Sequence, residues 1–402
     1  MRVTVLTQYY PPEIGAPQRR LAQLVEGLCA RGHQVTVLTA MPNYPTGKIF
    51  AGYGGFVREE TLDGARIIRT FIYPTQSADL VKRLSNYFSF VLSSLLVGLV
   101  KLPACDYLLT ESPPLFLGIT GFLLSHAKRA KWIFNVSDLW PESAVRIGVL
   151  RPGPGLRASA WLEKFCYQHA WLVSGQSTSI LANICARFPA VPTYLFSNGV
   201  NPAQFSPAFR SDKFKPYADN ARPVALYAGL HGLAQGLEQI LDAAQHLGDA
   251  LPVEIFLLGD GPNKRGLMAQ AQQHNLRRVH FLDPVTADAM PAWIASADIA
   301  LVTLKEYIPG AVPSKLYEAM ASGAAVLLVA EGEPADILKQ HDAGLVVTPG
   351  DTIGLANALT TLACDPQLRQ RFAANARRAV ESHYDRRVIV ERFIAQLEKF
   401  DS

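Results

Sequence analysis

The chain has no close pair of cysteines: Cys29, Cys105, Cys166, Cys185 and Cys364 are scattered along 402 residues. That spacing excludes a disulfide framework and a cysteine-based zinc site, and it fits a reduced, cytoplasmic setting. Charge is scarce as well, at 18% of residues against 49% hydrophobic, which excludes a disordered or fibrous chain. A formal charge of +4 does not demand nucleic acid and suits small anions or a membrane surface. The strand-like VTVLT begins at the third residue, without a charged and then apolar leader, so no signal peptide is expected. The glycine fingerprint G-x-G-x-x-G is absent, which argues against a nicotinamide or flavin enzyme.

No apolar run reads as long enough to cross a bilayer. The most apolar helix candidate, NYFSFVLSSLLVGLV from Asn86 to Val100, is shorter than the roughly 20 residues a span needs. Lys82 and Arg83 precede it and Lys101 follows. Two readings stand: a core helix packing through Ser89, Ser93, Ser94 and Gly98, or a lipid-contacting helix with basic ends. Neither predicts a transmembrane anchor.

What the sequence does have is alternation. Apolar runs at 3–7, 34–40, 66–72, 106–110, 131–136, 171–175 and 193–198 are separated by helical periodicity. Continuously apolar strands alternating with helices predict a parallel sheet covered on both faces. The proline-rich, polar stretch 201–223 breaks the pattern and reads as a linker. The alternation restarts at 224–229, 253–261, 278–282, 299–304, 325–330 and 344–350. The expected organisation is therefore a first Rossmann-like domain over 1–200, a linker over 201–223 and a second such domain over 224–382. An amphipathic helix over 383–402 could return to the first domain. With 402 residues, two domains are also the default on length.

Ligands of open parallel sheets sit outside the carboxyl ends of the strands, so the residues after each strand are the candidates. Gly15 and Ala16 precede a helix and let backbone approach a ligand, or simply connect strand to helix. Gly229 and Gly232 form a tight loop that could cradle a phosphate or only serve a turn. Gly259 and Gly261 end another strand, with Asp260 placed to cap the next helix. Asp138 and Glu142 lie after the strand KWIFNV, where a carboxylate could take a hydroxyl proton or cap a helix. In IPGAVPSKLYEAMASGAAVLLVA, Ser314 reads as a cap and Lys315 as a cation where the helix dipole already favours an anion. Glu318, one turn further on, suits a vicinal diol such as a ribose. Phosphate plus ribose suggests a nucleotide.

The motifs YYPPEIGAPQRR, RGHQVTVLTAMPNYPTGK, VSDLWPESA, SNGVN, LLGDGP and PSKLYEAMASGAAVL together resemble glycosyltransferase family 4, a retaining family of GT-B fold. PNYPTGK and DLWPES are similar to the subgroup acting in O-antigen, colanic-acid and capsule assembly. The resemblance implies an α/β protein whose two Rossmann-like, doubly wound parallel-sheet domains face a central cleft. It implies a nucleotide-sugar donor, UDP first and for example an N-acetylated hexosamine, bound by the second domain. The nucleotide-contacting set would be Gly15, Ala16, Arg19, Gly229, His231, Gly232, Gly259, Asp260, Gly261, Ser314, Lys315, Leu316 and Glu318. Asp138, Lys315 and Glu318 would carry catalysis. No metal and no cofactor are implied, because protein cations and helix dipoles carry the leaving diphosphate.

The implied acceptor is a polyprenyl-diphosphate-linked saccharide, with peripheral contact on the cytoplasmic face of the inner membrane and no nucleic acid. Several usual contacts are missing or moved. Gly310 stands where an acid is common, Leu230 and Gln235 where an arginine and a lysine are common, and Ser137 where a histidine is common. Lys315 is then the chief diphosphate cation, with Arg19, His231 and Lys305 as substitutes. The rival expectations are a non-hydrolysing nucleotide-sugar epimerase of the same architecture and a non-catalytic partner subunit.

Overall fold

Short runs of valine, isoleucine and leucine become strands buried on both faces; in β2 (Gln34–Ala40) six of seven residues are buried. The computed structural model describes residues 1–75, 77, 79–146, 153–214, 217 and 222–401. The chain divides into two units, Met1–Asn198 with Arg386–Ser402, and Gly199–Asp385.

The first unit holds β1 (Arg2–Leu6), β2, β3 (Val57–Leu62), β4 (Ala65–Thr70), β5 (Tyr107–Ser112), β6 (Lys131–Val136), β7 (Leu172–Gly175) and β8 (Thr193–Leu195). They form one sheet in the order β3-β4-β2-β1-β5-β6-β7-β8. Val3 of β1 lies opposite Val35 and Tyr107 in parallel register. Its helices are α1 (Ala16–Ala30), α2 (Leu80–Lys101), α3 (Leu117–Lys128), α4 (Glu142–Arg146), α5 (Pro154–His169), α6 (Thr178–Arg187) and, from the far end of the chain, α14 (Arg386–Asp401). On one face α14 packs against α1: Val390 and Ile394 press on Gly27, where a Cβ would lie 2.9 Å from Val390. Phe393 stacks on Phe196 with ring centroids 4.5 Å apart. On the other face α2, α3 and α5 share a core with Leu108, Phe134 and Val173.

Two features differ from the sequence expectation. β3 pairs antiparallel with β4, so the sheet is mixed. Its sequence VREETL is polar because it is an edge strand with no buried residue, and the turn uses Asp63 and Gly64 at φ 51° and 81°, the Asp-Gly signature of a two-residue hairpin. α2 is also longer than its apolar run, at 22 residues. By length and composition Val81–Lys101 could cross a membrane, yet Phe90, Val91 and Val97 are buried in the core of this unit.

The second unit is a purely parallel sheet in the order β11-β10-β9-β12-β13-β14. Its strands are β9 (Val224–Ala228), β10 (Glu254–Leu258), β11 (Val279–Leu282), β12 (Ile299–Thr303), β13 (Ala325–Val329) and β14 (Gly344–Val347). Helices α7 (Glu238–Leu247), α8 (Lys264–Gln273), α9 (Met290–Ser296), α10 (Ser314–Ala321), α11 (Glu333–Gln340), α12 (Thr352–Cys364) and α13 (Pro366–Ala379) cover it. The stretch 201–223, read as a linker, is in part built into this unit. Phe205 and Phe214 are 6% and 5% exposed within its core, and the Pro207 ring packs against Gly323. Its polar composition hides these two anchors; residues 215–216 and 218–221 lie outside the described residues.

One guanidinium ties the strand ends of the first unit together. Arg20 of α1 donates to Glu111 Oε1 at 2.6 Å, Gln176 Oε1 at 2.9 Å, Asn198 Oδ1 at 3.0 Å and Ser137 Oγ at 2.5 Å. Arg20 and Glu111 are 1% and 2% exposed. Ser137 Oγ and Asn135 Nδ2 donate to the same carboxylate. Removing one partner of a buried pair leaves an uncompensated charge and costs about 3–5 kcal/mol, whereas replacing both with apolar groups is often neutral. Arg20→Met is therefore expected to lose about 3–5 kcal/mol in urea denaturation, and Arg20→Met with Glu111→Leu to recover much of it. Equal stability of Arg20→Met and wild type would contradict this reading.

Candidate functional site

A doubly wound sheet opens a crevice where its strand order reverses. In the second unit this falls between β9 and β12, and three pieces of backbone converge there. The loop after β9 and the loop after β10 touch backbone to backbone. A Cβ on Gly259 would sit 1.9 Å from the Gly229 carbonyl oxygen, and one on Gly261 would sit 2.5–2.8 Å from the His231 backbone. Both glycines have positive φ, 142° and 159°, a conformation that side chains rarely tolerate. The third piece is the N-terminus of α10, which follows β12.

Lys315 fills this junction. Its Nζ donates to Tyr227 Oη at 2.6 Å and lies 4.2 Å from the centroid of the Tyr227 ring. The hydroxyl in turn donates to the Leu230 carbonyl at 2.7 Å. A Cβ on Gly229 would meet Nζ at 2.2 Å, so glycine makes room for the ammonium. Burial lowers the Lys315 pKa to about 8, against the opposing pull of Glu318. His231 is fully buried beside the Leu258 backbone. Burial, followed by the charges of Lys264 and Lys315, lowers its pKa to about 4. It is therefore neutral near pH 7 and is not the substitute cation expected from the sequence.

The remaining expected residues of this unit fall as follows. Ser314 opens α10 but the N-cap is Pro313, and no side-chain cap bond forms; the proline already fixes the entry angle. Asp260 does not cap α8, because its Oδ1 accepts from the adjacent Gly261 N at 2.8 Å. Leu316 is fully buried in the core, so its side chain is withdrawn from any ligand. Glu318 is partly exposed on α10, one turn beyond Lys315. Gly232 precedes a single turn of 3-10 helix that ends at Gln235. Leu230 is 53% exposed. Lys305 is paired to Glu238 at 3.4 Å. Gly310 has φ 75°, so an acid there would strain the backbone.

The sheet of the first unit reverses between β1 and β5. Gly15 is the N-cap of α1, with Ala16 as its first residue; a Cβ on Gly15 would lie 2.3 Å from Gln18 Oε1. Arg19 is on the same helix. Ser137, where the family commonly has histidine, is committed to the Arg20 and Glu111 network. Asp138 is not: its Oδ2 accepts from Ser143 Oγ at 3.0 Å, and burial pushes its carboxyl up. Glu13 pins two loops together. Its Oε1 accepts from the Asn43 and Tyr44 amides at 2.7 and 2.8 Å, and its Oε2 from the Tyr10 amide at 3.3 Å. Sequence reading missed Tyr227, Arg20 and Glu13. Tyr227 could have been found by pairing an inward strand residue with the lysine across the switch point, but nothing local marks the other two.

The likenesses to known proteins follow the same two units. Residues 15–199 match the family model described as glycosyl transferase 4-like domain, and residues 209–379 match glycosyl transferases group 1. The chain is 28% identical over 344 residues to the putative colanic acid biosynthesis glycosyl transferase WcaI of Escherichia coli strain K12, covering 82% of this chain and 84% of that protein. Sucrose-phosphate synthase from Thermosynechococcus elongatus has a TM-score of 0.79 at 20% identity, over 99% of this chain and 98% of that one. HepE from Anabaena, solved with UDP, has a TM-score of 0.75 at 19% identity, over 99% and 100%. The architecture is that of the GT-B transferases. The chain belongs to the glycosyltransferases that join a 4-like domain to a group 1 domain.

The depressed Lys315 pKa sets a pH dependence. Below about 8 the free protein already carries the ammonium; above it, any anion that binds against Lys315 must draw a proton onto the amine. Affinity for UDP is thus expected to fall as pH rises beyond 8, with log Kd approaching a slope of about one per pH unit. Calorimetry from pH 7 to 9.5 checks this. The slope should vanish in Lys315→Met, and an identical slope in that variant would remove Lys315 from the site.

Proposed function

We propose that this glycosyltransferase moves a sugar from a nucleoside diphosphate donor, UDP-linked in the first instance, to a lipid-linked saccharide acceptor in surface polysaccharide assembly. The observation that carries the donor half is the convergence at Lys315: an ammonium, a helix N-terminus and two glycine loops meet at the switch point of the second sheet. Such a junction favours a phosphate group. Glu318 is assigned the ribose hydroxyls, and the backbone of Gly259–Gly261 the base. The acceptor half draws on the likeness to WcaI, which carries colanic acid biosynthesis in its name, and the choice of UDP on the HepE complex.

In the reaction the bond from the sugar anomeric carbon to the diphosphate oxygen breaks and a bond to an acceptor hydroxyl oxygen forms. The hydroxyl proton passes to Asp138 or to the departing diphosphate, and the nucleoside diphosphate leaves. Lys315 and the helix dipole stabilise the negative charge that develops on the leaving group, the kind of preorganised electrostatics that contributes most to many rate enhancements. The raised Asp138 carboxyl is a stronger base than an ordinary aspartate, which suits proton removal. Retention of anomeric configuration and independence of metal belong to the same proposal.

Purified protein incubated with UDP-, GDP- and dTDP-sugars and a short polyprenyl-diphosphate saccharide, followed by NMR of the product, tests it. Expected are transfer with retained configuration, turnover unaffected by EDTA, and turnover lowered about 10²–10⁴-fold by Asp138→Asn with donor affinity intact. Glu318→Ala should weaken UDP binding about 10–100-fold, the worth of a hydrogen bond to a charged group. Epimerised donor without acceptor, or UDP binding with no transfer to any acceptor, would overturn the proposal.

A further inference from the structure

One face of α2 is committed to the core of the first unit. Phe90, Val91 and Val97 are buried, and a Cβ on Gly98 would lie 2.6 Å from Leu124 of α3. The opposite face is apolar too. Phe88, Leu92, Leu96 and Leu99, spaced by four, four and three residues, fall on one side of the helix. They are 40%, 60%, 58% and 46% exposed, and Val81 and Val100 at the helix ends are 70% and 83% exposed. α3 runs alongside in the same direction, since Thr120 Oγ1 donates to the Val91 carbonyl and Lys128 Nζ to the Leu99 carbonyl, each at 2.9 Å. It adds Leu123, and α5 adds Trp161, at 42% and 64% exposure. Trp161 stacks on Phe165, whose ring meets Phe122 of α3. A run of exposed apolar side chains this large marks an interaction surface.

Charge identifies the partner. The sequences of α2, α3 and α5 contain six bases, Lys82, Arg83, Lys101, Lys128, Arg157 and Lys164, and one acid, Glu163. Glu163 is 3% exposed and bound to Arg187. At the margins Asp79 caps α2 and Glu59 pairs with Lys101 at 2.6 Å. Lys82 and Arg83 lie at one end of the apolar stripe, and Lys101 and Lys128 at the other. A second copy of the chain, docking through a twofold axis, would set like charges against each other. An anionic bilayer takes both features, the stripe into the acyl boundary and the cations among the headgroups.

We propose that the outer face of α2, α3 and α5 docks this unit onto an anionic lipid surface, with α2 lying in the interface rather than crossing the bilayer. Crossing would strip Phe90, Val91 and Val97 from the core. The proposal rests on the reading of a lipid-linked acceptor for its purpose, and on none of the donor-site residues for its evidence.

The test is sedimentation of the full chain with vesicles of phosphatidylcholine alone and of phosphatidylcholine with phosphatidylglycerol, at low and high salt. Binding is expected only to the anionic vesicles and should weaken with salt. Leu92→Glu with Leu96→Glu should lower the bound fraction about tenfold or more, with unchanged circular dichroism. The thermal shift produced by UDP should also be unchanged, which separates this outcome from failure of the donor site. Wild-type protein that stays in solution with anionic vesicles overturns the proposal. So does a concentration-dependent dimer in analytical ultracentrifugation that the same substitutions dissolve.

Discussion

The second unit is organised by a single close approach. Gly259 passes so near the Gly229 carbonyl that a Cβ would fall 1.9 Å from it, and no other residue fits. Because the two loops touch, His231 is sealed beneath them, and the Lys315 ammonium donates to Tyr227 Oη. Partly burying an ammonium is costly, and the depressed Lys315 pKa, only in part offset by Glu318, registers that cost. An anion at the same place would relieve it.

The first unit treats its buried cation the opposite way. Arg20 has a carboxylate, a hydroxyl and two amide oxygens around it, so its charge is spent on holding β5, β6, β7 and the segment after β8 in register. Glu13 similarly joins the loops after β1 and β2 through three backbone amides. These networks fix the strand ends around Asp138 while leaving that carboxylate with one hydroxyl partner. Polar networks of this kind rigidify their surroundings.

The central parallel strands, such as β5, β10, β12 and β13, were legible because each is buried on both faces and therefore reads as an uninterrupted apolar run. β3 was not, since an edge strand carries polar residues, although Asp63-Gly64 announced its hairpin. Phe205 and Phe214 were hidden by the proline and charge around them. At the site, Lys315 and the glycine loops were readable from their places after strands, and the role of Gly310 now has a backbone reason in its φ of 75°. Ser314 and Asp260 were misread as caps because capping depends on the actual start of each helix, which shifts by a residue or two from any sequence estimate. Tyr227 and Arg20 act across large sequence separations, and nothing in a local window records such pairs.

Lys315 is proposed to meet the diphosphate of the donor and not its nucleoside. Measuring the affinities of UDP and of uridine for wild type and for Lys315→Met gives that contribution as a thermodynamic cycle. The account predicts that the substitution weakens UDP about tenfold or more, as expected for a charged hydrogen bond, and leaves uridine unchanged. An equal loss for both ligands, or no loss for UDP, would contradict it.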